Sequence, residues 1–216
     1  MHASSTLIPE LEMDVHAGKA AQKLEAPVYH SVWKTSILFT LVTAVIFGLA
    51  YPFAITGIAH LVFPHQTDGS LILHNGQIIG SSLLAQSFTS DRYFHPRPSA
   101  AGNGYDATAS GGSNLAQTNA KLIARIQGDI DRLQKQNPGK PVPIDMATES
   151  ASGLDPDITP DNAYYQAPRV AEARGLSEAA VNALIKQHIE QRTLGFLGEP
   201  RVNVLELNLA LDGLSK

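Results

Sequence analysis

Residues 35–63 contain no Asp, Glu, Lys or Arg, and this one run limits what the chain can fold into more than any other feature. It is 29 residues long, and 15 of them are Leu, Ile, Val or Phe. Roughly 20 apolar residues suffice to cross a bilayer as a helix. Each such side chain contributes about −0.3 to −0.6 kcal/mol near the centre, so insertion is favoured by several kcal/mol. A helix buried in a soluble core seldom stays uncharged on all faces for so long. A cleaved signal peptide has an apolar core of only ~7–15 residues near the chain start, whereas 34 residues precede this run. The pattern predicts one uncleaved membrane helix over 35–63.

The placement of Lys and Arg sets orientation. Lys19, Lys23 and Lys34 precede the run, and Arg92 is the first basic residue after it. The positive-inside rule then predicts a cytoplasmic tail, 1–34, and an extracytoplasmic domain, 64–216. As a single helix the run would measure about 43 Å against a hydrocarbon core of about 30 Å. Tilt, or an emergent last turn from Thr56 to His60, absorbs the excess. Pro52 lacks a backbone donor and predicts a kink. Thr40, Ala44 and Gly48 recur every four residues, a small-residue stripe along which another helix can approach closely.

Beyond the membrane run the chain reads as ordinary folded protein. The formal net charge is −4, and residues 64–216 carry 13 Lys and Arg against 16 Asp and Glu. With no basic stripe, no nucleic-acid partner is expected. The chain has no cysteine, which excludes disulfides, cysteine-ligated metals and a cysteine nucleophile. About 150 residues are enough to fold on core burial alone.

The coarse pattern is α+β. Leu71, Ile72 and Leu73, then Ile78 and Ile79, flank Asn75-Gly76, the strongest short hairpin signal. Residues 89–112 read as loop. Asn114 with Gln117 reads as a capping box, opening a helix with Leu115, Leu122, Ile126, Ile130 and Leu133 on one face. Residues 141–145 read as a short strand. Thr159 and Pro160 open a helix through about Arg174, with Pro168 inside it. Ser177 caps another, carrying Val181, Leu184, Ile185, His188 and Ile189 and stopped by Gly195 and Gly198. Leu205, Leu207, Leu209 and Leu211 alternate with polar or small residues, which predicts a half-buried strand.

Catalytic signatures are missing: no G-x-x-x-x-G-K-[ST], H-E-x-x-H or G-x-S-x-G occurs. Gly102-Asn103-Gly104 follows a Pro-rich stretch rather than a strand, which sets aside a dinucleotide fingerprint. Asp155, Asp157 and Asp161 lack the glycine and glutamate that a calcium loop requires, and the eight histidines show no ligand spacing. One segment has binding chemistry. Ser110-Gly111-Gly112-Ser113-Asn114 precedes an expected helix start, so its backbone N–H groups could cradle a phosphate or carboxylate. A Gly-rich turn leading into a capped helix needs no such ligand, and that reading stays open.

Five ordered blocks carry a family resemblance: Tyr93-Phe94-His95-Pro96-Arg97-Pro98-Ser99-Ala100, Ser110-Gly111-Gly112-Ser113-Asn114-Leu115, Ser152-Gly153-Leu154-Asp155-Pro156, Gln166-Ala167-Pro168-Arg169-Val170-Ala171, and Leu197-Gly198-Glu199-Pro200-Arg201-Val202-Asn203-Val204-Leu205. With the single anchor before them, they resemble the C subunits of Kdp-type P-type potassium-transporting ATPases. The resemblance implies a bacterial inner-membrane complex. Its partners would be a channel-like potassium-binding subunit, a phosphorylated pump subunit and a small single-helix subunit. It also implies a non-catalytic accessory role in high-affinity potassium uptake, as a catalytic chaperone raising the pump's affinity for ATP. No cofactor of the chain's own follows, only ATP reached through the complex. The Ser-Gly-Gly segment is similar to the Leu-Ser-Gly-Gly-Gln signature of ABC transporters, but Ala109 and Ser113 stand in the outer places.

The lysine distribution conflicts with the nucleotide role, because ATP lies inside and residues 64–216 are expected outside. A structural or partner-binding role for residues 110–114 fits that orientation. A membrane-anchored external hydrolase is the alternative from a different class. It would use Ser110 or Ser113, with His95 or His188 as base.

Overall fold

The computed structural model describes residues 29–74 and 76–214, with the side chains of residues 29–31 left aside. The chain divides into two compact units, the first ending at Ile58 and the second starting at Ala59.

The first unit is helical from Tyr29. Helix α1 (Tyr29–Val45) passes into a π-helical turn (Ile46–Ala50) and then α2 (Tyr51–Val62). The helix thus begins six residues before the charge-free run and takes in Trp33 and Lys34; residues 1–28 of the expected tail lie outside the described residues. Its apolar stretch, Val32–Val62, is 31 residues long, and its most apolar window buries no side chain. This is the single-pass membrane helix. Pro52 is met by the π turn directly before it. The Tyr51 amide bonds the Ile46 carbonyl five residues back, a wider turn that relieves the clash between a proline ring and the carbonyl at i−4.

The second unit is α+β. After a short helix α3 (Pro64–Thr67), strands β1 (Leu71–His74) and β2 (Gln77–Ser81) form an antiparallel hairpin with Leu73 opposite Ile78. Gly76 takes φ +78°, the left-handed value that favours glycine at such a turn; Asn75 lies outside the described residues. Helices α4 (Ala120–Gln136), α5 (Ile144–Ala147), α6 (Pro160–Arg174), α7 (Glu178–Gln187) and α8 (Val204–Leu214) follow. Among them run β3 (Asp157–Ile158), β4 (Ile189–Glu190) and β5 (Arg201–Asn203), antiparallel with β5 in the middle. The core gathers Phe94, Ile158, Ala167, Val170, Val181, Ile185, Val202, Leu207 and Leu211. Thr159 and Ser177 cap α6 and α7 as their sequence positions predict, and Gly175 closes α6 at φ +65°.

Four local expectations are corrected. Residues 204–214 are helix, not strand. The alternating leucines overlie a second pattern, Val204, Leu205, Leu207, Asn208 and Leu211, all buried at helical spacing, and the Asn203 side chain accepts from the Glu206 amide at 3.2 Å to cap the first turn. Helix α4 opens at Asn119, which accepts from the Lys121 amide. Asn114 has φ +52°, whereas an N-cap needs extended backbone; Leu115 therefore lies outside the helix. Residues 144–147 form one helical turn instead of a strand. Helix α7 ends at Gln187 with His188 as its C-cap, well before Gly195, and Ile189 crosses to β4 opposite Val202.

Candidate functional site

The five blocks become one another's hydrogen-bond partners. Residues 91–105 form neither helix nor strand, so their backbone groups need partners outside a regular ladder, and besides a few turn bonds such as Tyr93 N–H to the Ser90 carbonyl side chains supply them. Phe94 is fully buried. Its N–H donates to Asn208 Oδ1 at 2.8 Å, and its carbonyl accepts from Asn208 Nδ2 at 3.0 Å. Gln166 does the same for His95, accepting from its N–H at 2.8 Å and donating to its carbonyl at 3.0 Å. Arg169 donates to the carbonyls of Asp91 (2.7 Å) and Tyr93 (3.0 Å) and to Gln166 Oε1 (2.7 Å). Helices α6 and α8 thus hold one extended strap from two sides.

The Ser-Gly-Gly segment joins the same lock. Ser110 Oγ donates to the Ser152 carbonyl at 3.0 Å, and the Gly111 N–H donates to that carbonyl at 2.8 Å. A Cβ at Gly112 would lie 3.2 Å from the Ala151 carbonyl oxygen. Gly153 has φ +67°, and a Cβ there would meet the Gly111 carbonyl at 2.7 Å and the Ala101 amide at 2.8 Å. Ser99 Oγ donates to the Gly153 carbonyl at 2.6 Å and accepts from the Ala101 and Tyr105 amides. The structure therefore brings Ser110, Gly111 and Gly112 against residues 150–153. Ser113 is half-buried and Asn114 is exposed. With α4 starting at Ala120 behind its cap Asn119, none of residues 110–114 stands at a helix N-terminus.

Charged groups lie nearby in pairs. Arg97 donates to Asp155 Oδ2 at 2.9 Å and to the Glu149 carbonyl at 3.2 Å. Arg201 reaches Asp157 Oδ2 at 3.1 Å and Glu190 at 2.6 Å. Burial holds the Asp157 carboxyl above its ordinary range, with Arg201 acting against that. Burial, aided by Arg169, holds His95 below its ordinary range. The His95 ring contacts the Ser90 carbonyl through Nε2, and the His188 ring contacts the Leu184 carbonyl through Nδ1. Among the described residues the Ser110 hydroxyl and the two histidine rings each bond to a backbone carbonyl rather than to one another, and no group of three His, Asp or Glu is placed to hold a metal. The arrangement restrains loops; a nucleophile beside a base is not among its contacts.

Sequence reasoning overlooked two features. Asp145 is buried and accepts from the Thr159 N–H (2.8 Å), the Thr159 hydroxyl (3.1 Å) and Asn162 Nδ2 (2.9 Å), tying α5 to the start of α6. No local pattern marks a carboxylate whose partners lie 14 and 17 residues away. The second is an apolar turn. Thr193 and Leu197 form a two-way bridge at 2.9 Å, and between them Leu194 and Phe196 are 79% and 69% exposed, with Leu197 itself half exposed. Leu194 takes φ +55°, uncommon for a bulky side chain. Two leucines and a phenylalanine between Gly-containing turn residues were the available signal.

Comparison with known proteins agrees with the blocks. The family described as KdpC, K+-transporting ATPase, c chain, matches residues 33–213. A potassium-transporting ATPase KdpC subunit of Koribacter versatilis is 56% identical over 179 residues, covering 83% of this chain and 93% of that protein. Its counterpart in Acidobacterium capsulatum is 56% identical over 180 residues, covering 83% and 96%. The Rhodopseudomonas palustris protein is 50% identical over 191 residues, covering 83% and 96%. On the match over 33–213 and these identities, the chain belongs to the KdpC family, the c chains of K+-transporting ATPases.

Proposed function

We propose that the chain is a non-catalytic accessory subunit, needed for assembly and activity of a high-affinity potassium uptake complex. Residues 64–216 would stand on the extracytoplasmic face of a bacterial inner membrane, with the N-terminus in the cytoplasm. The observation that carries this reading is the division of labour in the domain. The hydrogen-bonding groups of its motifs are largely spent within the domain, while Leu194, Phe196 and the motif residue Leu197 are left on the surface. Exposed large apolar side chains clustered on a structured turn suit a protein–protein contact. The partners would be the channel-like potassium-binding subunit, the phosphorylated pump subunit and the small single-helix subunit.

In this reading residues 110–114 are a structural or partner-facing loop. Support comes from the commitment of the Ser110 hydroxyl and the Gly111 N–H to Ser152. A domain outside the membrane has no access to cytoplasmic ATP, so raising the pump's nucleotide affinity by direct contact is not part of the role. The test is growth at limiting potassium. Deleting the chain should abolish uptake, Ser110→Ala should leave it near normal, and Leu194→Asp with Phe196→Asp should impair it. Normal uptake without the chain would remove the reading.

A further inference from the structure

The membrane helix carries a demand that its own backbone does not meet. In an α-helix the Phe47 carbonyl accepts from the amide of residue 51, and in a π turn from that of residue 52. The Tyr51 amide is given to Ile46, and Pro52 has no N–H. Both regular donors are therefore withdrawn. The apolar stretch runs Val32–Val62, so Phe47 is its middle residue, where hydrocarbon offers no substitute donor and an unpaired carbonyl is costly. Gly48 leaves the gap open to approach, since a Cβ there would have nothing within 4 Å. Ala44 and Thr40 continue a small-residue path from it at four-residue intervals.

We propose that the Phe47–Pro52 gap is an acceptor site for a hydrogen-bond-donating side chain on a membrane helix of another subunit. A hydroxyl, amide or indole N–H fits; an aliphatic side chain does not. A second copy of this chain offers little at this depth. In a parallel pair equal depths face each other, and residues 44–50 contain no side-chain donor; of the two hydroxyls flanking them, that of Tyr51 is the one a second copy could supply, and the crowded-chain measurement below reads it. The neighbouring Thr43 hydroxyl is already directed to the Phe39 and Thr40 carbonyls at 2.7 and 3.1 Å. The inference rests on the accessory reading and adds the chemistry of one contact to it. Interhelical hydrogen bonds in membranes are individually modest, so this one would set register and position more than overall affinity.

The sequence supplies a direct probe. Phe47-Gly48 is the chain's single Phe-Gly pair, so full-length chain labelled with carbonyl-13C phenylalanine and 15N glycine gives one coupled carbonyl signal by solid-state NMR. It is measured in lipid, alone and co-purified with the unlabelled potassium-binding, pump and single-helix subunits. The expected result is a downfield shift on assembly, because the carbonyl gains a donor. Three results overturn the inference: no shift in the intact complex, the same downfield position in the dilute chain alone (satisfied by water), or a shift that appears only when the chain alone is crowded (a second copy). Pro52→Ala restores a backbone donor and should weaken retention in the complex roughly three- to tenfold; unchanged retention argues against the site. A wild-type chain that fails to co-purify removes the accessory role first, whereas a co-purifying chain with an unshifted carbonyl defeats this inference alone.

Discussion

Along the membrane helix the backbone bonds to itself and the side chains face outward, while across residues 91–105 the backbone has no regular partner and borrows side chains from α6 and α8. The unmet demands of the two regions are accordingly opposite. In the helix it is polar, a carbonyl near Phe47 in an apolar surround. In the domain it is apolar, the Leu194–Phe196–Leu197 turn in an aqueous surround. Each region lacks what its solvent cannot supply, and in the reading proposed above another protein meets both deficits.

That contrast breaks most sharply where the domain's polar partners are removed. Asn208→Leu leaves the buried Phe94 N–H and carbonyl without partners, and at about 1–3 kcal/mol for each the domain should lose roughly 3–5 kcal/mol. Full-length chain in detergent, unfolded in urea and followed by circular dichroism, reads the loss directly; a change under about 1 kcal/mol would mean the strap is not held as described. Gly153→Ala should cost about 2–4 kcal/mol, from left-handed backbone and the Gly111 carbonyl in its path. Gly111→Ala, where a Cβ has open space, should cost much less by the same assay, so similar midpoints would contradict the tight crossing at residues 111–153.

Leu194→Asp with Phe196→Asp should shift the urea midpoint by no more than about 0.5 kcal/mol in stability, as exposed sites do, yet reduce co-purification of the other subunits. Equal losses in both assays would make the turn part of the fold. The smallest effect concerns pH. His95 is held neutral below its usual range by burial and by Arg169, so the unfolded chain takes up the proton first. This contribution to stability is complete above about pH 6.5 and is lost as pH falls toward the depressed value of the folded state. Asp157, held above its range, works with the opposite sign at lower pH. His95→Asn should therefore flatten the fall in thermal stability between about pH 7 and 5.5; an unchanged slope would assign that fall to other groups.

Much of this was legible in the sequence where the signal was local. The charge-free run, the hairpin at Gly76 and the Thr159 and Ser177 caps depend on neighbours in the chain. The C-terminal leucines misled because a period of two and a helical set share positions 205, 207 and 211, and the buried Val204 and Asn208 separate them. Asn114 and Asn119 are equally plausible caps by residue type, and backbone dihedrals decide between them. For the candidate site, the residues of the blocks could be read but their purpose could not. Gln166 and His95 are 71 positions apart, and Asn208 and Phe94 are 114 apart, so no spacing rule connects them.

The central claim is that the domain stands outside the cytoplasm and is covered there through its apolar turn. The chain has no cysteine, so Phe196→Cys creates one unique thiol for a membrane-impermeant maleimide. In intact spheroplasts this residue should be labelled when the chain is expressed alone and protected when the other subunits of the complex are co-expressed. Labelling that appears only after lysis would place the domain in the cytoplasm, and equal labelling with and without partners would leave the turn uncovered; either contradicts the account.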